Sequence, residues 1–165
     1  MNTDLFTHVH GSMLLYPGNY LEFGSGTGEL VKVLAEKFPN KHLVSVDPDH
    51  KYLSQIYGNI MSLSNVEFFN MNAQEFCNTI SLGQRLNWQV DIVHIHTRFD
   101  YDTLIDIMQI SEQMLGPEPG EIIWCRDLDM DCQRAIKEFE HVLGHRIVHQ
   151  TQIGHDHVAY KIREH

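Results

Sequence analysis

A glycine-rich turn lies near the start of the chain, between a short apolar run and a segment with helical periodicity. It reads Gly24-Ser25-Gly26-Thr27-Gly28, and Glu22 precedes it by two residues. So tight a turn needs backbone angles and close approaches that a Cβ atom would obstruct, and the helix start leaves backbone N–H groups unpaired. The turn can therefore bind a polar or anionic ligand. Its spacing departs from the dinucleotide fingerprint, because Glu29 stands where that pattern has its last glycine.

Two more candidate ligand contacts follow predicted strands. Asp47 comes directly after the apolar run 42–46, and its carboxylate can accept hydrogen bonds from both vicinal hydroxyls of a ribose. The alternative is that Asp47 caps a helix, a task for which Asp49 is the better candidate. Asn72 follows the strand-like run 66–69, where an asparagine is typical of a helix N-cap and can contact a ligand as well.

Residues 90–96 contain two histidines that could take part in chemistry. His94 and His96 share parity along a predicted strand and therefore point to one side of the sheet. His96 is nearer the strand end, and an imidazole with its ordinary pKa of about 6.5 can act as a general base. The alternative is a structural role, because histidines at strand ends often bind backbone carbonyls and the chain contains 12 histidines.

Strand-like and helical runs alternate along the chain. The predicted strands are the run before the glycine turn and residues 42–46, 66–69, 90–95, 121–125, 145–151 and 157–162, and the predicted helices are 29–38, 52–60, 73–80, 101–115 and 130–143. Five strand–helix units predict a parallel sheet with right-handed crossovers, and the last two strands must form an antiparallel hairpin. The predicted fold class is α/β, a Rossmann-like and mostly parallel seven-stranded sheet with helices on both faces. Ligands bind beyond the carboxyl ends of the strands in such sheets.

Length and charge narrow the functional classes. A chain of 165 residues predicts a single domain, 1–165, that buries about two-thirds of its unfolded surface. A formal charge of -10 without a basic stripe disfavours nucleic acid as a partner. No run reaches membrane-spanning length and the first residues lack a signal-peptide pattern, which predicts a cytoplasmic protein without membrane contact. The three cysteines lack C-x-x-C spacing and are interpreted as reduced structural thiols.

The glycine turn with Glu22 ahead of it resembles the first motif of class I S-adenosylmethionine-dependent methyltransferases, in which the turn passes under the methionine part of the cofactor. The family often places an Asn-Ala pair after the third strand to bind the adenine edge, and Asn72 and Ala73 match that position. The resemblance implies S-adenosyl-L-methionine as the cofactor. Together with the strand-end reasoning, it predicts these cofactor-binding residues: Glu22, Gly24, Ser25, Gly26, Gly28, Asp47, Asn72, Ala73 and His94.

The segment 91–139 is similar to a subgroup of small-molecule methyltransferases related to the catechol O-methyltransferase family. The matching stretches are Asp91-Ile92-Val93-His94-Ile95-His96, Tyr101-Asp102, Pro119-Gly120, Ile122-Ile123-Trp124-Cys125-Arg126-Asp127 and Arg134-Ala135-Ile136-Lys137-Glu138-Phe139. The acids that metal-dependent members carry after the fourth strand are replaced by His96 and Arg98, so that only Asp127 remains of the usual carboxylates. This implies a degenerate metal site, because Mg²⁺ needs several oxygen ligands, whereas His96 with Asp127 would better suit a transition metal. We assign no metal ligand and predict His96 and Asp127 as catalytic residues.

The predicted function is transfer of a methyl group from S-adenosylmethionine to a small or medium-sized acceptor, with much of the rate coming from positioning. The open alternative is a cofactor-binding or structural protein that has lost this chemistry. A nicotinamide oxidoreductase is a third possibility, which the glycine spacing and the terminal hairpin disfavour. Because 18 residues precede Asn19, we expect a second copy or a bulky acceptor to complete the pocket. A second copy would pack near the apolar face of residues 5–15, formed by Leu5, Phe6, Val9, Met13 and Leu14.

Overall fold

The structure is a computed structural model, and it describes residues 1–81, 89–96, 100–115, 119–125 and 129–163. Its helices are α1 (Thr3–Leu15), α2 (Glu29–Lys37), α3 (Leu53–Ile60), α4 (Ala73–Ser81), α5 (Tyr101–Met114) and α6 (Met130–Leu143). Its strands are β1 (Asn19–Phe23), β2 (Leu43–Val46), β3 (Val66–Phe69), β4 (Val90–Ile95), β5 (Gly120–Cys125), β6 (Ile147–Ile153) and β7 (His157–Ile162). Every predicted strand and helix has a counterpart. Among the described residues, no helix combines the length and the apolar character needed to cross a membrane.

One seven-stranded sheet forms the centre of the fold, with the strand order β3-β2-β1-β4-β5-β7-β6. Strands β1 to β5 run parallel, whereas β7 is antiparallel to both β5 and β6. The start of β7 therefore lies at the same edge of the sheet as the carboxyl ends of β1 to β5. The strand order reverses between β1 and β4, which is where open α/β sheets bind ligands. The predicted fold class, with its C-terminal hairpin, is confirmed.

Helices cover both faces of the sheet, and each face has its own apolar core. Leu21 and Phe23 of β1 belong to the core that includes residues of α4, α5 and α6. Tyr20 belongs to the other core, which includes residues of α1, α2 and α3. Successive residues of the central strand are thus buried on opposite faces, which explains its nearly continuous apolar sequence.

The first helix, α1, packs its apolar face on the protein's own sheet. Three residues of that face are buried: Leu5, Val9 and Met13. Leu14 is 68% exposed. These three side chains are therefore covered within the chain itself, and the expected contact of this helix with a second copy stays a prediction. His8 also connects α1 to β5, since its Nε2 lies 2.8 Å from Oε1 of buried Glu121.

Candidate functional site

The glycine turn leaves β1 at the carboxyl edge of the sheet and leads into α2. Gly24, Gly26 and Gly28 have positive φ angles of 92°, 54° and 72°. Other residues rarely adopt such angles because a Cβ atom crowds the backbone, so the expected requirement for glycine is confirmed. A Cβ atom on Gly26 would meet no atom within 4 Å, whereas one on Gly28 would lie 3.6 Å from Cα of Ile56 in α3. Gly26 thus faces open space and Gly28 faces a helix.

Asp47 follows β2 and is 5% exposed. Its carboxylate binds the glycine turn. Oδ2 accepts a hydrogen bond from the Gly26 N–H at 2.9 Å, and Oδ1 accepts one from the Asp49 N–H at 2.7 Å. Each carboxylate oxygen has a second lone pair, so ribose hydroxyls can still donate to it. Asp49 does not cap α3, because its carboxylate accepts from the Lys51 N–H and Tyr52 occupies the N-cap position.

A cavity of about 290 Å³ opens at this edge of the sheet. The residues that line it are Gly24, Ser25, Gly26, Asp47, Pro48, Asp49, Tyr52 and His96. The cavity therefore joins three predicted positions of the glycine turn, the predicted ribose contact Asp47 and the predicted catalytic residue His96. Pro48, Asp49 and Tyr52 also line the cavity, and their position directly after Asp47 is the sequence signal that could have predicted them.

Several other predicted site residues are not among those that line the cavity. The Glu75 N–H donates to Asn72 Oδ1 at 2.8 Å, and the Asn72 N–H donates to Glu75 Oε2 at 3.0 Å. This reciprocal pair is a capping box for α4. Ala73 is the buried first residue of the same helix. The contacts of Asn72 and Ala73 with a cofactor stay predictions, and Asp127 lies outside the described residues.

Glu22 and His94 belong to a group of buried polar side chains that crosses three adjacent strands. Glu22 Oε1 accepts a hydrogen bond from Ser45 Oγ at 2.9 Å, and Oε2 accepts one from Tyr20 OH at 3.0 Å. The Tyr20 oxygen lies 2.9 Å from His94 Nδ1. We call Ser45, Glu22, Tyr20 and His94 the buried polar row. Ser25 Oγ contacts Ser45 Oγ and so connects this row to the cavity.

Three histidines meet beside the cavity, at the carboxyl edge of the sheet. The ring centroids of His94 and His96 are 5.6 Å apart, those of His94 and His157 are 5.6 Å apart, and those of His96 and His157 are 5.1 Å apart. The predicted placement of His94 and His96 on one side of the sheet is confirmed. His157 begins β7. It was not predicted as a site residue, because it starts an antiparallel strand and does not follow the end of a parallel one.

The surroundings of His96 change its acid–base character. Burial of the ring, followed by the neighbouring His94 and His157, lowers the pKa of His96 from 6.5 to about 4. His96 is therefore neutral at pH 7, and its protonated form loses the proton readily. The expectation of an unshifted pKa for His96 is therefore wrong, whereas its role as a general base stays a prediction.

Comparison with known proteins identifies the fold. No model of a protein family matches the chain, and no curated protein matches it in sequence. The O-methyltransferase TomG from Streptomyces achromogenes, solved with S-adenosylmethionine, matches with a TM-score of 0.73 and 14% identity over 98% of this chain and 79% of that one. A precorrin-6y C5,15-methyltransferase from Geobacter metallireducens matches with a TM-score of 0.72 and 16% identity, over 98% of this chain and 88% of that one.

A third structure extends the comparison to another type of methyltransferase. The N-methyltransferase NodS from Bradyrhizobium japonicum, solved with S-adenosyl-L-homocysteine, has a TM-score of 0.67 and 16% identity over 98% of this chain and 86% of that one. The chain therefore has the fold of class I S-adenosylmethionine-dependent methyltransferases. At these identities the likeness concerns the fold alone. The three neighbours are named for methylation at different kinds of atom, so the shared fold does not determine the methylated atom.

Proposed function

We propose that this protein is an S-adenosylmethionine-dependent methyltransferase that acts on a small or medium-sized acceptor. The observation that carries the proposal is the cavity in which the glycine turn meets the carboxylates of Asp47 and Asp49, at the switch point of a methyltransferase fold. The neighbours TomG and NodS were crystallised with the methyl donor or with its demethylated product. The finer resemblance to the catechol O-methyltransferase subgroup is part of this proposal.

The charges in the cavity favour a sulfonium cofactor over a dinucleotide. S-adenosylmethionine carries a positive sulfur, whereas the pyrophosphate of NAD carries two negative charges. Asp47 and Asp49 both line the cavity, and like charges at short range raise the free energy of binding. Asp47 can accept hydrogen bonds from the ribose hydroxyls, while Gly26 leaves room for the cofactor to approach the backbone closely.

His96 lines the same cavity and can face a bound acceptor. Its neutral ring can accept a hydrogen bond from an acceptor hydroxyl or amine and so orient it towards the methyl group. The lowered pKa of His96 makes it a poor base, and this observation supports the second candidate function. In that case the protein binds S-adenosylmethionine without transferring its methyl group. Asp127 is the other residue that we propose to act in catalysis.

Calorimetric titration separates these possibilities in two stages. We expect S-adenosylmethionine and S-adenosylhomocysteine to bind the purified full chain, and NAD to give no heat of binding. Binding of NAD without binding of S-adenosylmethionine would contradict the proposal. The second stage supplies methyl-labelled cofactor and a small-molecule metabolite extract. Labelled products support the enzyme, and tight cofactor binding without label in any product supports the second candidate.

Two variants then test the proposed catalytic residues. His96→Ala and Asp127→Ala should lower kcat while S-adenosylhomocysteine binds with its original affinity. An unchanged kcat in either variant removes that residue from the chemistry. The conservative variant Asp127→Asn keeps the side-chain size, so a comparable loss of kcat would assign the effect to the carboxylate charge.

A further inference from the structure

We propose that His94, His96 and His157 form a binding site for one divalent transition metal ion, with Zn²⁺ as the expected occupant. One ring nitrogen of each histidine lies within 4.8 Å of those of the other two. An ion at the centre of a triangle with that side would lie about 2.8 Å from each nitrogen, against roughly 2.0–2.1 Å in bound zinc sites. Shifts of less than about 1 Å per ring would therefore complete the site.

The hydrogen bonds of Tyr20 determine the tautomer of His94. The Tyr20 hydroxyl carries one proton, because a phenol is neutral at pH 7. That single proton is donated to Glu22 Oε2. The contact between Tyr20 and His94 Nδ1 must then be a donation from Nδ1–H to the phenol oxygen, which leaves a lone pair on Nε2.

The free nitrogen of His94 is buried without a partner among the described residues. His94 is 1% exposed, and its Nε2 has no hydrogen-bond partner in the part of the chain that the structure describes. A buried acceptor left unpaired is costly, and a metal ion would satisfy it. Donation of the other ring N–H to a polar group is also what orients metal-binding histidines in proteins, and the Tyr20 oxygen accepts that bond here.

His157 has a carboxylate beside its ring. Its Nδ1 lies 3.0 Å from Asp156 Oδ1, and a carboxylate beside Nδ1 favours the tautomer that carries its proton there. This tautomer presents the Nε2 lone pair on the opposite edge of the ring. Of the three histidines, His94 is thus oriented by a hydrogen bond, and His157 lies beside a carboxylate.

The strand register explains how residues from β4 and β7 reach one another. His94 stands opposite Ile123 on β5, and Cys125, two residues further, stands opposite His157. Residues two apart in a strand share a face, so both histidines point to the same side of the sheet.

The ligand set selects the kind of metal. Three imidazoles suit Zn²⁺, Co²⁺, Ni²⁺ or Cu²⁺ better than Mg²⁺ or Ca²⁺, which prefer oxygen ligands. Sites with three protein ligands keep a fourth position for water or substrate. Because His96 also lines the cavity, that position would open towards it. With the metal bound, the single lone pair of the His96 ring would be held by the ion, so an acceptor would face the open position and not that lone pair. A second group, formed by Cys125, Asp156 and His157, shares one histidine with this site and would add a thiolate ligand.

The test measures metal binding alone, so it does not depend on methyl transfer. The full chain is stripped with a chelator and titrated calorimetrically with Zn²⁺ in the absence of any cofactor. We expect one equivalent of Zn²⁺ to bind. His96→Ala should weaken this binding by about 100-fold or more, because the loss of an outer partner, a residue that only hydrogen-bonds to a metal ligand, already lowers metal affinity by about 10–100-fold. His149→Ala, which removes an exposed histidine of β6, is the control for adventitious surface binding and should change nothing. Equal affinity in the wild type and in His96→Ala would overturn the proposal.

Cobalt substitution and outer-partner variants identify the ligands. Bound Co²⁺ should show the visible bands of a four-coordinate ion without a thiolate-to-metal charge-transfer band. Such a band, lost in Cys125→Ser, would place the metal at the cysteine group and overturn the three-histidine assignment. Asp156→Asn and Tyr20→Phe should each weaken Zn²⁺ binding by about 10–100-fold without changing the stoichiometry. Unchanged affinity in both variants, with folding verified by circular dichroism, would also contradict the site.

Discussion

A pair of glycine substitutions tests whether the glycine turn binds the cofactor or only shapes the backbone. Gly26 and Gly28 both have left-handed backbone angles, with φ of 54° and 72°. Alanine in that region costs about 1–2 kcal/mol relative to glycine. For a chain of 165 residues this corresponds to a fall in Tm of about 2–8 °C. We expect this loss of stability in both Gly26→Ala and Gly28→Ala.

The two variants should differ in cofactor binding. The new methyl group of Gly26→Ala would point into open space at the cavity, where the cofactor must approach the backbone. Overpacking of this kind costs about 1–3 kcal/mol, which is roughly a 5- to 150-fold loss of affinity. The methyl group of Gly28→Ala would make ordinary contacts with Ile56 at 3.6 Å, away from the cavity. Its affinity for S-adenosylhomocysteine should therefore stay close to that of the wild type.

Thermal unfolding followed by calorimetric titration of the same samples measures both quantities. Equal affinities in the two variants, whether both retained or both reduced, would refute the reasoning that the Gly26 side of the turn faces the cofactor. A loss of affinity in Gly28→Ala alone would place the cofactor on the α3 side of the turn.

Three further predictions concern single positions. Asp47→Asn should weaken S-adenosylhomocysteine binding at least about tenfold, because charge-assisted hydrogen bonds worth roughly 1.5–3 kcal/mol are lost. It should also lower Tm, since the carboxylate binds the Gly26 N–H. An unchanged affinity in calorimetric titration would contradict the ribose contact. Gly58→Ala should raise the free energy of unfolding by about 0.5–1 kcal/mol and Tm by about 1–4 °C, because glycine inside a helix is less stable than alanine. A Cβ atom at this position of α3 would meet nothing within 4 Å. A lower Tm in a thermal scan would show that the helix does not tolerate alanine here. His8→Ala leaves the carboxylate of Glu121 buried without this partner, so the free energy of unfolding should fall by about 1–3 kcal/mol. The measurement is the midpoint of urea unfolding, which should be lower than that of the wild type. An unchanged midpoint would mean that the contact contributes nothing to stability.

The arrangement of strands and helices could be predicted because local patterns determine it. Helical spacing alternates with short apolar runs along the chain, and the short connection around Gly154 permits only a hairpin. The glycine turn was equally predictable, since the three glycines adopt angles that other residues avoid. Asp47 was found for the same reason, because a strand end fixes the position of the next residue.

The histidine site could not be predicted in full because its residues come from strands that are distant in sequence. His157 stands beside His96 only through the order β4-β5-β7, which sequence periodicity does not reveal. The tautomer of His94 depends on its contact with the Tyr20 hydroxyl. The pattern of apolar residues in β1 does not predict that contact. The lowered pKa of His96 has the same origin, since neighbouring rings and burial arise only in the folded chain.

The buried polar row also specifies how β1 aligns with its neighbours. Central strands of a parallel sheet are apolar on both faces, so their sequences distinguish poorly between the correct pairing and one shifted by a residue. In the native alignment Glu22 stands opposite Ser45 on one side and His94 on the other. A shift by one residue would turn the Glu22 carboxylate towards the core that holds Leu21 and Phe23, where an unpaired charge is strongly destabilising. The buried polar row therefore specifies the register of β2, β1 and β4, because sheets with a shifted register are unstable during folding.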